Sequence, residues 1–143
     1  MKPASPSPEG EETSGINAAT VDPAIFNRAT YLERLMDDEE LARTIIKSYL
    51  EDLPGQIKQL QDYVIALDLP QIRRQAHLIK GGAANLSADA LYKHSAALEL
   101  AGKDGDPARM AVLMAELEHH FEALARVLRQ EIARPEQTGS HTK

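Results

Sequence analysis

From Leu41 to Leu67 a large aliphatic side chain returns every three or four residues: Leu41, Ile45/Ile46, Leu50, Leu53, Ile57, Leu60, Val64 and Leu67. That is the period of an α-helix with one buried side, and a strand does not reproduce it. Pro54-Gly55 interrupts the chemistry of the run but not its phase. A turn would reset the phase, so the pattern predicts one long helix with a kink at the proline. Further stripes follow the same rule. Asp68 stands as N-cap before Leu69, Ile72, Ala76, Ile79, Ala83 and Leu86. Ser87 stands as N-cap before Leu91, His94/Ser95, Leu98 and Ala101. The run KDGDP then supplies a glycine stop, an aspartate cap and Pro107 at the first helical position. The stripe it opens is Met110, Leu113/Met114, Leu117, Phe121, Leu124 and Leu128. Upstream, Asp22-Pro23 reads as the cap and first residue of a short helical segment carrying Ile25, Phe26, Tyr31, Leu32 and Leu35. Asp37 with Glu40 reads as a capping box for the first long helix. Long amphipathic helices on short connections bury their stripes by packing side by side. The expected fold is therefore all-α, an antiparallel four-helix bundle over residues 21–133 with a short extra helix at its N-terminal end.

The flanks carry no such pattern. Residues 1–20 are rich in Pro, Ser, Gly and Glu and nearly empty of large apolar groups, and 134–143 are similar. Neither can bury enough surface to offset the entropy of ordering, so both are expected to be disordered, the first as a leader or linker. A formal charge of −6 with no basic stripe argues against nucleic acid as a partner. The chain has no cysteine, which excludes disulfides, thiolate catalysis and Cys-based zinc sites. No stretch approaches the ~20 apolar residues of a membrane span, and the first residues lack the apolar run of a signal peptide. A cytoplasmic protein of one domain is expected.

The third stripe contains an anomaly. Residues 77–82 read HLIKGG, two adjacent glycines inside a helical pattern, each costing about 1 kcal/mol relative to alanine. With Ala76 and Ile79 inward, His77 turns outward, and Lys80, Gly81 and Ala84 fall on its face at three, four and seven residues further on. Arg73 and Arg74 lie one turn before it. An exposed neutral imidazole is a nucleophile. A lysine one turn away can pair with a phosphoryl group by charge-assisted hydrogen bonds. A glycine beside them removes the side chain that would keep another protein's active site at a distance. Gly81 thus serves as steric clearance, Arg73 and Arg74 suit an acidic docking partner, and Gly82 has no role beyond relaxed packing against a neighbouring helix. No GxxxxGK[ST] or GxGxxG loop is present, so the chain is not expected to phosphorylate itself.

The stretch AHLIKGGAANLSADAL, with LMDDEELARTIIKSYLEDLP before it and LELAGKDGD after it, resembles the histidine-containing phosphotransfer (HPt) domains of bacterial two-component phosphorelays. The resemblance runs from about Phe26 to Leu128. It implies a four-helix bundle with His77 as phosphoacceptor, and Lys80 and Gly81 at the motif's lysine and glycine. A polar residue on the following helix often reaches the histidine ring in that family, and Glu99 matches this position. The family's turn often has glycine where this chain has Ser87. The implied function is that of a phosphorelay intermediate. It takes a phosphoryl group from a receiver-domain aspartyl phosphate and passes it to another receiver aspartate, with Mg²⁺ supplied by the receiver and no cofactor of its own. Partners would be response-regulator receivers or a hybrid sensor kinase, and the chain would be a carrier, not an enzyme. The competing reading is an adaptor bundle that docks a receiver or kinase without accepting phosphate. Elsewhere, His94 reads as partly buried packing. Glu116 with His119-His120 has only one of the two Glu-x-x-His pairs a di-iron bundle needs, so no metal site is expected.

Overall fold

The computed structural model describes residues 22–135, and the two flanks expected to be disordered lie outside them apart from Arg134 and Pro135. Five helices follow one another: α1 Arg28–Arg34, α2 Glu39–Ala66, α3 Leu69–Leu86, α4 Asp89–Asp104 and α5 Pro107–Ala133. The long helices pack in a ring, α3 against α2 and α4, α5 against α4 and α2, while α1 leans on α2. Two-residue links at 67–68, 87–88 and 105–106 reverse the chain each time, which makes the bundle antiparallel. No described helix is long and apolar enough to cross a membrane.

The core is aliphatic, as the stripes require. Ile46, Leu53, Leu60, Ile72, Ile79, Leu86, Leu91, Leu98, Met110, Leu117, Leu124 and Leu128 are all fully enclosed. α2 passes through Pro54 without a break, and both Pro54 and Gly55 face solvent. Its stripe is shifted by one residue at the start. Ala42 is buried while Leu41 is 44% exposed, because the Tyr31 hydroxyl donates to the Ala42 carbonyl and fixes that side of the helix inward. Leu67 also leaves the stripe, since it ends α2 in the left-handed conformation, φ +54°.

Three expected caps are placed differently. Asp22 accepts from Ala24 N–H in a single turn, and the helix proper begins later, with Asn27 capping Thr30. The backbone of this segment is spent on neighbours: Asn27 N–H donates to Ser87 O and Ala24 O accepts from Ala90 N–H. Asp37 does not cap α2. Its N–H closes α1 on Leu32 O with φ +61°, and Asp38 caps instead, accepting from Leu41 N–H. Ser87 does not cap α4 either. It ends α3 in the left-handed region, φ +60°, with its hydroxyl buried and unpartnered. Ala88 precedes α4 with no side-chain cap, and the Ala24 carbonyl takes up one of the first-turn N–H groups. The glycine common in similar turns has a physical reason here, because a left-handed residue costs about 1 kcal/mol with a side chain attached. Asp68, Gly105 and Asp106 stand where the sequence puts them.

Gly82 now has an explanation. A Cβ on it would lie 2.9 Å from Cε1 of Tyr49 on α2. The tyrosine ring packs against the bare backbone of α3 at this glycine, and burial pushes its hydroxyl well above the usual range.

Candidate functional site

The site is built on the outward side of α3, where the fold positions three side chains by two independent rules. His77 and Lys80 share a face because they are one turn apart on the same helix. Glu99 reaches them from α4, because the buried pairs Ala76–Ala83 and Leu98–Ala101 set the two helices close together. His77 Nδ1 lies 3.0 Å from Glu99 Oε2, and Lys80 Nζ lies 2.7 Å from Glu99 Oε1. One carboxylate thus holds an imidazole with one oxygen and an ammonium with the other. The imidazole is the exposed member at 64%, while Lys80 and Glu99 are at 21% and 25%.

The electrostatics follow from that geometry. Burial alone would raise the Glu99 carboxyl, but hydrogen bonds from Lys80 and His77 outweigh it and hold the group below the usual carboxylate range. The bond to Glu99 raises the Lys80 ammonium above its usual value, against partial desolvation that works the other way. Glu99 is therefore ionised and accepts from His77 Nδ1–H, which leaves the lone pair of the neutral ring on Nε2, the nitrogen facing away from the carboxylate. The carboxylate that joins the network is ionised above the ordinary carboxylate value of about 4.3, and the network is lost on the acid side as pH falls through the lowered one. Replacing Lys80 by methionine is expected to raise the Glu99 titration midpoint, followed by carboxyl NMR. An unmoved midpoint would mean the ammonium is not what holds the carboxylate ionised.

Gly81 has nothing within 4 Å of where a Cβ would stand, so the space beside His77 is open to solvent. Of the other residues singled out in the sequence, Arg74 is exposed on the same side. Arg73 is turned to the α3–α4 seam, its guanidinium donating to Gly102 O at 3.3 Å and its Cγ 2.7 Å from where a Gly102 Cβ would stand. Ala84 is half-buried at the end of α3, its carbonyl accepting from Arg34 at 2.6 Å.

Periodicity did not single out several neighbours. Lys80 Nζ sits 5.9 Å from the ring centre of Tyr92, and a shallow cleft beside it is lined by Ala96, Glu99, Leu100 and Lys103. Leu78, Tyr92 and Leu100 are all exposed. The signal for them was in the sequence, since each is a large apolar residue off its helix's buried stripe. Among the described residues no three His, Asp or Glu side chains are placed to hold a metal ion.

A family model described as the Hpt domain matches residues 44–133, which contain all of this site. The chain belongs to the Hpt domain family. The solved structure of histidine-containing phosphotransfer protein B (HptB) from Pseudomonas aeruginosa PAO1 shares the Hpt bundle. It aligns with a TM-score of 0.72 at 21% identity, covering 78% of this chain and 97% of that one, and at that identity the likeness bears on the fold. No curated protein matches the chain. For an Hpt protein the all-α bundle and a role in histidine phosphotransfer follow directly.

Proposed function

We propose that this Hpt protein is a phosphorelay intermediate that accepts a phosphoryl group on Nε2 of His77 from the aspartyl phosphate of a receiver domain and returns it to a receiver aspartate. The observation that carries the reading is the division of labour around one ring: Glu99 occupies Nδ1, Nε2 is free, and Gly81 leaves the approach clear. The Nε2 lone pair attacks phosphorus, the N–P bond forms, and the bond to the aspartate oxygen breaks to give a free carboxylate. His77 keeps its Nδ1 proton throughout, so no general base is needed, and the imidazolium so formed is paired with Glu99. Transfer onward is the same step reversed. Lys80 is within reach of both Glu99 and the incoming phosphoryl oxygens, and shifting its ammonium from one to the other offsets the new charge.

Mg²⁺ and the aspartate belong to the partner in this scheme, because a loose phosphoryl transition state needs its equatorial charge neutralised. That makes the chain a carrier. Exposed Arg74 and the apolar residues Leu78 and Leu100 would meet the rim of the receiver. The test is incubation of the protein with a panel of radiolabelled, phosphorylated receivers. Transfer of acid-labile, alkali-stable label to the chain, then off it to an unlabelled receiver, is expected. Binding of a receiver with no label transferred from any of them would favour the adaptor instead.

A further inference from the structure

On the far side of α4 from Glu99, the seam with α5 holds a second group of imidazoles that the phosphoryl chemistry does not use. The rings of His94 on α4 and His120 on α5 lie face to face, centroids 4.1 Å apart and planes 18° from parallel. His119 meets His120 edge-on at 5.3 Å. Glu116, one turn before His120, has its Oε1 3.7 Å from His94 Nδ1. Nδ1 of His120 is buried with no hydrogen-bond partner.

We propose that the His94–His120 stack is a proton-operated latch on the α4–α5 seam, closed while His120 is neutral and released when both rings are charged. Two neutral imidazoles gain from stacking, whereas two imidazolium rings at this separation repel across a partly dehydrated gap. A proton on His94 faces the Glu116 carboxylate. A second, on His120, has no acceptor at the buried Nδ1 and no carboxylate as near. Among the described residues no three such side chains are placed to hold a metal ion. Burial first, then His94 on α4 and His119 on α5, push His120 below the ordinary imidazole range, with Glu116 opposing. The unfolded chain therefore binds that proton more tightly than the folded one. The contribution of the latch is complete above about pH 6.5 and declines as pH falls below it.

This inference does not depend on His77 accepting phosphate. It is tested by unfolding the full chain thermally at about pH 7.5 and about pH 5.5, alongside His94→Gln and His120→Gln, and by following the imidazole ring protons by NMR. Carboxylates outside the cluster are common to all three proteins and cancel in the comparison of Tm differences, while His94→Gln also removes the partner of Glu116. The wild type is expected to lose about 5 °C more than His120→Gln over this interval, with His94→Gln between them because the burial of His120 remains. His120 should titrate last among the imidazoles as pH is lowered, and its midpoint should rise in His94→Gln. Equal losses in all three proteins would overturn the latch, as would a wild-type His120 midpoint at or above the ordinary imidazole value. If His120→Gln does not fold, His94→Gln and the wild-type titration still decide it.

Discussion

Replacing His77 by glutamine is expected to reduce phosphoryl acceptance from a labelled receiver by at least about 1,000-fold, the scale on which removing an attacking group acts. Stability should change by no more than about 0.5 kcal/mol, because the side chain is 64% exposed and packs against nothing in the core. The glutamine amide can still donate to Glu99, so the substitution removes the nucleophilic lone pair and little else. Receiver binding measured in parallel should persist. Those three readouts separate the chemistry from the docking surface. Wild-type labelling of the variant would move the acceptor elsewhere, with His94, His119 and His120 the remaining imidazoles among the described residues.

The paired glycines provide the second large effect, with opposite signs at adjacent positions. At Gly81 a Cβ meets nothing within 4 Å, so alanine should stabilise the isolated protein by about 1 kcal/mol through helix propensity. Leucine there extends from an open position, and in the proposed transfer it would stand in the path of a receiver to Nε2 of His77. Displacing the reacting atoms by about 1 Å costs on the order of 100-fold. Gly81→Leu should thus be a more stable protein that transfers phosphate roughly 100-fold more slowly. At Gly82 the outcome reverses. A Cβ 2.9 Å from the Tyr49 ring forces a shift in a packed aromatic, costing about 1–3 kcal/mol against about 1 kcal/mol of helix gain. Gly82→Ala should be less stable and still transfer. Denaturant unfolding and a transfer assay on both variants check this, and a Gly81→Leu protein that transfers at the wild-type rate would remove clearance as the reason for that glycine.

The contrast between these neighbours shows where sequence reading reaches its limit. The case for Gly81 rests on helix spacing alone, since residues three and four apart share a face wherever the helix sits. Gly82 could not be explained that way, because its reason is a tyrosine 33 positions away on α2. Glu99 is similar. It sits 22 residues from His77, and its place was legible only through resemblance to a family, until the distances of 3.0 Å and 2.7 Å put one carboxylate on both partners. The Arg73 side chain was read as part of the outward face, but the absence of a side chain at Gly102 opens a nearer place for it in the α3–α4 seam.

Caps divide in the same way. Asp68, Gly105 and Asp106 act within their own turn, and local sequence suffices to place them. Ser87 and Asp37 have the right chemistry for N-caps but are drawn into closing the preceding helices, and the Ala24 carbonyl does at α4 what the serine hydroxyl would have done. Four long helices, their buried sides and the sharing of one face by His77, Lys80 and Gly81 were written into the order of residues, because helical period and propensity are properties of near neighbours. The carboxylate on the imidazole, the ring on Gly82 and the stacked histidines arise from the rotation and register of whole helices against one another. Those depend on how every stripe packs at once, and no short stretch of chain contains that information.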